Sequence, residues 1–140
     1  VYLCHHMILQ VGVKAFLRNP QGKYLLVRRN SATYQTKGSW DIVGGRIEPG
    51  TELMSNLDRE VREETGLRIV SEPKLIAAQD IMPNAEKHVV RLTYIADAEG
   101  DVTLDTNENV EYAWLSAEEI AALEDLDIYV KALIEKGLLV

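Results

Sequence analysis

Three glutamates, Glu60, Glu63 and Glu64, are spaced so that a helix would carry their carboxylates on one side. Each helical position advances about 100° around the axis, so the three share an arc of roughly 100°. Leu57 and Val61 form an apolar stripe beside that arc. Like charges within one turn repel each other unless a cation neutralises them. Mg²⁺ takes carboxylate, water and phosphate oxygens as ligands, so the spacing indicates a divalent-metal site.

The same helix has a plainer interpretation, in which the glutamates are a solvated face balanced by Arg59 and Arg62. The residues immediately upstream weigh against it. Gly44, Gly45 and Gly50 fall within seven residues and lead directly into the helix. Such a loop lets the backbone approach a ligand closely. The glycine loop and the glutamates together favour a site for a metal ion and an anionic substrate.

The segment from Gly45 to Leu67 resembles the box of the MutT/Nudix hydrolases, G-x5-E-x7-R-E-U-x-E-E-x-G-U, where U is a bulky apolar residue. The positions that match in register are Arg59, Glu60, Val61, Glu63, Glu64, Gly66 and Leu67. The neighbouring segments also look family-like, so the resemblance spans most of the chain. One position departs, because Thr51 stands where the family has its first glutamate and Glu52 follows it. Threonine is a natural N-cap residue, and we expect Thr51 to cap the helix.

The resemblance implies an α+β domain of the α/β/α sandwich type, the Nudix fold, with a mixed sheet packed between helices. It implies a pyrophosphohydrolase that cleaves a nucleoside diphosphate linked to another moiety, here a (d)NTP or oxidised nucleotide, to the monophosphate. The compact chain favours these substrates. Pro83, 16 residues after Leu67, instead resembles members that cleave ADP-ribose, so an ADP-ribose or nucleotide-sugar pyrophosphatase is one alternative. A non-catalytic nucleotide-binding module, with Thr51 marking lost activity, is the other.

The resemblance also implies roles for individual residues. Mg²⁺ or Mn²⁺ would be bound by Glu60, Glu63 and Glu64 together with the carbonyl of Gly44. A carboxylate from a later loop often joins the metal site in the family, and Glu108 is our candidate, with Glu111 as the second. Ordinary surface exposure is the alternative interpretation for both. Glu60 or Glu63 would take the proton of the attacking water. The structural positions of the box are Gly45, Gly50, Arg59 and Gly66.

Substrate contacts are expected from Arg29, Arg46 and Tyr34. Arg29 ends a predicted strand at a position where relatives hold phosphate, and a planar guanidinium binds phosphate oxygens in bidentate fashion. A solvated strand end is the alternative for Arg29. Tyr34 can stack on a base, whereas Trp40 is expected to lie in the core, because it begins a strand beside the box.

The elements that must position these residues follow from periodicity and turn residues. Residues 8–17 and 24–29 are expected to form a β-hairpin around the turn 19–22, and residues 30–39 a loop. Further strands are expected at 40–43, 74–81, 88–97 and 110–115, and helices at 51–65, after the N-cap Ser116 and at 127–136.

The chain has 140 residues, 46% of them apolar and 26% charged, which predicts a single domain over residues 1–140. Residues 1–7 contain His5-His6-Met7 and are interpreted as an expression remnant or a disordered end. The single cysteine, Cys4, excludes an internal disulfide. No apolar run reaches 18 residues and no secretory leader is recognisable, so we expect a cytoplasmic protein without a membrane partner.

Charge is divided unevenly along the chain. Residues 1–47 carry seven Lys/Arg and one acid, for a net +6, and residues 48–140 carry eight Lys/Arg and 21 acids, for a net −13. An overall charge of −7 argues against sequence-independent binding of duplex nucleic acid, which depends on neutralising phosphates. A nucleotide or nucleotide derivative is the expected partner, and a homodimer is left open.

Overall fold

The computed structural model describes residues 7–34 and 38–139, and for Thr33 and Tyr34 the backbone alone. Its elements in chain order are β1 (Ile8–Arg18), β2 (Tyr24–Arg29), α1 (Ser31–Tyr34), β3 (Trp40–Asp41), β4 (Val43–Arg46), α2 (Leu53–Thr65), β5 (Arg68–Ile69), β6 (Lys74–Asn84), β7 (Lys87–Glu99), β8 (Asn109–Leu115), α3 (Ala117–Ala121) and α4 (Ile128–Glu135). None of the helices in these ranges is long and apolar enough to cross a bilayer.

Strand β1 lies at the centre of a mixed sheet. It pairs in parallel with β7 along its whole length and antiparallel with β4 on the other side. Strand β6 flanks β7, and β2 pairs with β3 and β8. The predicted hairpin closes only at its turn, where Arg18 pairs with Tyr24. The two strands then diverge, because β4 occupies the edge of β1 that a regular hairpin partner would need.

Alternate residues of β1 pack on opposite faces of the sheet, as the two-residue period of a strand requires. Val13, Ala15 and Leu17 belong to one apolar core, which also contains Leu57 and Val61 of α2. The other core, on the face of Phe16, receives side chains from the C-terminal helices: Ile120, Val130 and Leu133. The sheet therefore lies between helices, which confirms the predicted α+β class with a mixed sheet packed between helices. Trp40 packs against the second core, as expected.

The predicted strand at 40–43 is two short strands. Asp41 pairs with Val27 of β2, whereas Val43 pairs with Ala15 of β1. The break at Ile42 follows from this change of partner. The predicted loop at 30–39 contains the single-turn helix α1.

The expectation that Thr51 caps helix α2 is wrong. The helix begins at Leu53, its N-cap position is Glu52, and no side chain makes a capping hydrogen bond there. The Thr51 hydroxyl instead donates to the Glu48 carbonyl at 2.6 Å and accepts a hydrogen bond from Asn56 Nδ2 at 2.6 Å. Thr51 thus closes the turn before the helix, and Asn56, which is buried, links that turn to the helix.

Candidate active site

Positions 44 and 45 of strand β4 have no room for a side chain, because a neighbouring group lies close to each glycine. A Cβ on Gly44 would lie 2.0 Å from the carbonyl oxygen of Val13, and φ there is +149°. A Cβ on Gly45 would lie 2.8 Å from the carboxylate atoms of Glu60. Gly45 therefore provides the space in which the Glu60 carboxylate lies against the backbone of the loop.

The Glu64 carboxylate lies beside the same loop. Its Oε2 accepts a hydrogen bond from the Gly44 N–H at 3.2 Å, and its Oε1 one from Asn109 Nδ2 at 3.5 Å. Burial, reinforced by the neighbouring Glu60 carboxylate, raises the pKa of Glu64 to about 8, although Lys14 acts in the opposite direction. Two adjacent carboxylates in a partly buried site repel each other, and a hard cation with oxygen ligands would relieve that repulsion.

Arg59 connects the remaining box residues along helix α2. Its Nη1 donates to Glu60 Oε1 at 3.2 Å and to Glu63 Oε2 at 3.3 Å, and its Nη2 donates to Asn56 Oδ1 at 3.1 Å. Where the family pattern has a glutamate at position 51 to pair with this arginine, the structure has the chain of contacts Thr51–Asn56–Arg59. Asn56 was not among the predicted site residues, because an asparagine inside a helix has no signal of its own.

The donors fit a divalent metal, with one rearrangement. The Glu63 side chain is 59% exposed and is paired with Arg59. Consequently, within residues 7–34 and 38–139, no three acidic, histidine or cysteine side chains already converge as a metal-ligand group. Glu60 and Glu64 form the close pair, and Glu63 would join them by leaving Arg59.

One cleft of about 940 Å³ brings most of the predicted site residues together. Its lining includes these predicted residues: Arg29, Gly44, Gly45, Arg46, Glu60, Glu63, Glu64 and Glu108. The side chain of Tyr34 lies outside the described part of the chain. Glu111 is placed elsewhere, since it pairs with Arg28 Nη1 at 3.0 Å on the neighbouring strand.

The other predicted structural residues act at the ends of helix α2. Gly50 adopts φ +84° in the turn before it, and Gly66 adopts φ +73° as its C-cap, with its N–H donating to the Arg62 carbonyl at 2.9 Å. A left-handed C-cap is a usual way for a helix to end.

A cluster of buried charges beside the cleft was not among the predicted site residues. Asp41 is 1% exposed and contacts Lys14 Nζ at 3.1 Å, Arg91 Nη2 at 2.8 Å and the Arg29 guanidinium. Arg91 Nη1 also contacts Asp127 Oδ2 at 3.1 Å. A possible signal was present, because Lys14 and Arg91 each interrupt an apolar strand, and a buried charge needs a partner.

Electrostatics within this cluster favour the charged form of the carboxylate. Burial alone would raise the pKa of Asp41, but Lys14, Arg91 and Arg29 outweigh it and hold the pKa well below its usual value. Burial lowers the pKa of Lys14, and Asp41 opposes that effect. The cluster places two cations, Lys14 and Arg29, in the lining of the cleft that also holds the glutamates.

Comparisons with known proteins agree with this geometry. Residues 8–135 match the family model for the NUDIX domain. The chain belongs to the Nudix family. The nucleoside triphosphatase NudI of Salmonella agona is 31% identical over 136 residues, and the match covers 84% of this chain and 90% of that protein. The crystal structure of a MutT protein from Methanosarcina mazei Go1 superimposes with a TM-score of 0.81 at 32% identity, covering 93% of each chain.

A MutT Nudix hydrolase from Burkholderia pseudomallei shows the same fold, with a TM-score of 0.76 at 20% identity over 91% of this chain and 97% of its own. The chain is a Nudix hydrolase, an enzyme that acts on acid anhydrides in phosphorus-containing compounds.

Proposed function

We propose that this Nudix hydrolase uses Mg²⁺ or Mn²⁺ to cleave a (d)NTP or oxidised nucleotide to the monophosphate. The observation that carries the proposal is the arrangement of one cleft. The Glu60–Glu64 pair lies beside the Gly44-Gly45 backbone, and Lys14 and Arg29 line the same cleft. The similarity to a nucleoside triphosphatase supports a triphosphate substrate.

Glu60, Glu63 and Glu64 would hold the metal, with Glu108 and the Gly44 carbonyl as further ligands. A bound divalent ion supplies charge screening for the phosphates and lowers the pKa of the attacking water. Either Glu60 or Glu63 would accept that proton. Glu63 suits this task, because its carboxylate is exposed and leaves Arg59 without disturbing the contact between Glu60 and Gly45.

The remainder of the cleft suits the rest of a nucleotide. Arg29 and Arg46 would bind phosphate oxygens, and Lys14 adds positive charge to the same cleft. The apolar residues Ile81, Pro83 and Val89 also line the cleft. An apolar wall of this kind accommodates the flat face of a nucleobase.

An ADP-ribose or nucleotide-sugar substrate is the second candidate, because Pro83 lies in the wall of the cleft. A non-catalytic binding module is less well supported, since Glu60, Glu63 and Glu64 all line a cleft that also holds cations. The expectations of a single domain over residues 1–140, a cytoplasmic location, no duplex nucleic acid or membrane partner, and a possible homodimer stay predictions.

The test is a panel of about twenty nucleotides, including oxidised guanine nucleotides and ADP-ribose, incubated with Mg²⁺ or Mn²⁺. Products are separated by ion-exchange chromatography. Release of a nucleoside monophosphate from a triphosphate is expected, and preferential cleavage of ADP-ribose would move the assignment to the second candidate. A protein that binds nucleotides but turns over none of them would be a binding module.

A further inference from the structure

Lys14 pairs with one carboxylate, that of Asp41, and lines the same cleft as a second, that of Glu64. Its Nζ donates to Asp41 Oδ2 at 3.1 Å and to the Ile42 carbonyl at 3.1 Å. Lys14 of β1 lies directly opposite Gly44 of the neighbouring strand β4, and the Gly44 N–H donates to Glu64 Oε2. Burial lowers the pKa of Lys14, and the carboxylates of Asp41 and, more weakly, Glu64 act to raise it. A lysine at this position can therefore pair with the buried Asp41 or with Glu64, which faces the cleft.

Asp41 favours the first arrangement. It is almost fully buried, and Arg91 Nη2 and the Ile42 N–H hold its other oxygen, Oδ1, at 2.8 Å each. The carboxylate therefore cannot follow the lysine if the lysine moves. Attraction between unit charges is strong where water is excluded, so a fixed Asp41 confines the flexible ammonium group.

We propose that Asp41 is a positioning residue that holds Lys14 away from Glu64 and thereby keeps Glu64 available to a divalent metal. The inference rests on the proposed function, in which Glu64 is a metal ligand. Without the charge of Asp41, Lys14 would lose its buried anionic partner, and Glu64 is the other carboxylate whose charge acts on it. An ammonium group paired with Glu64 competes directly with a metal ion for the same oxygens.

Metal binding without substrate tests this competition. Mn²⁺ is titrated into the full chain, and the free ion is followed by electron paramagnetic resonance. Asp41→Asn should weaken Mn²⁺ binding about tenfold, the lower end of the range for residues that support metal ligands. The double variant Asp41→Asn with Lys14→Met should recover affinity to within about threefold of wild type, because the competing ammonium group is gone.

Asp97→Asn is the matched control. It removes a carboxylate that pairs with Arg18 at 2.8 Å, with both side chains well exposed, and should leave Mn²⁺ binding unchanged. Circular dichroism and thermal melting establish that each variant is folded. A purely structural role for Asp41 would lower the melting temperature but would not produce recovery of Mn²⁺ affinity on removal of Lys14.

Folded Asp41→Asn with wild-type Mn²⁺ affinity would overturn the inference, as would a double variant that binds no more tightly than Asp41→Asn. If Asp41→Asn does not fold, the Mn²⁺ affinity of the single variant Lys14→Met tests the inference. It should bind Mn²⁺ at least as tightly as wild type, and a tenfold loss would contradict the inference. A wild-type protein that binds no Mn²⁺ would refute the proposed metal site and this inference together, whereas binding that is insensitive to Asp41 refutes this inference alone.

Discussion

The Glu60 carboxylate lies against the backbone of Gly45, so closely that a Cβ at position 45 would stand 2.8 Å from the carboxylate atoms. This contact joins the glycine loop to the glutamate helix. It gives the glycine a role that the helix alone does not reveal, because any side chain there would displace a proposed metal ligand.

Gly45→Ala should therefore lower kcat. The added methyl group displaces the Glu60 carboxylate by a few tenths of an ångström or more, and misplacement of about 1 Å costs roughly 10²-fold in rate. Steady-state kinetics measure the effect. Since both changes act through one carboxylate, Gly45→Ala combined with Glu60→Gln should be little slower than Glu60→Gln alone. Fully additive losses would show that Gly45 acts through another group.

Activity should depend on a divalent metal. Chelation with EDTA should abolish turnover, and added Mg²⁺ or Mn²⁺ should restore it, because the paired carboxylates and the phosphates would otherwise repel each other. Phosphate, pyrophosphate and nucleoside monophosphate release are the measurements. Full turnover of a good substrate in EDTA would remove the metal from the mechanism.

Glu63→Gln should cut kcat by about 10²–10⁴, the range for loss of a general base. Stability should change by less than about 0.5 kcal/mol, because the exposed Glu63 loses only its pair with Arg59. Asp58→Asn is the control in the same helix, since Asp58 is exposed and lies outside the cleft lining. Equal rates for Glu63→Gln and wild type would contradict the assignment.

Arg29→Ala should raise KM about tenfold and also lower the melting temperature. The first effect follows from a lost phosphate contact, and the second from the loss of one of three cations around buried Asp41. Arg28→Ala is the adjacent control, because Arg28 pairs with the exposed Glu111. Its KM should match that of wild type. An unchanged KM for Arg29→Ala would mean that Arg29 does not contact the substrate and has a structural role only.

The contribution of Asp41 to stability should depend on pH. The folded state holds the pKa of Asp41 below its unfolded value, so the stabilisation is present above about pH 4 and is lost as the pH falls further. Asp41→Asn should therefore cost about 3–5 kcal/mol at pH 7. Urea unfolding of both proteins at pH 7, 4 and 3 should show the difference shrinking below pH 4. A constant difference would contradict the ionised, paired state of Asp41.

Local periodicity was enough to predict most of the elements and one side of the site. Residues separated by one helical turn share a face, so the order of Glu60, Glu63 and Glu64 predicts a helix that presents carboxylates whatever it packs against. The glycine loop was recognisable because the helix follows it directly in sequence.

Tertiary structure decided the contacts between residues far apart in the chain. Asp41 of β3 meets Lys14 of β1 across 27 positions and Arg91 of β7 across 50, and both contacts depend on the strand pairing that brings β1, β3 and β7 into one sheet. The pairing of β1 with β4 reduced the predicted hairpin to its turn. The Thr51 hydroxyl donates to the Glu48 carbonyl and accepts a hydrogen bond from Asn56 instead of capping the helix. A linear sequence records which residues follow one another, whereas strand register determines which charges are buried together.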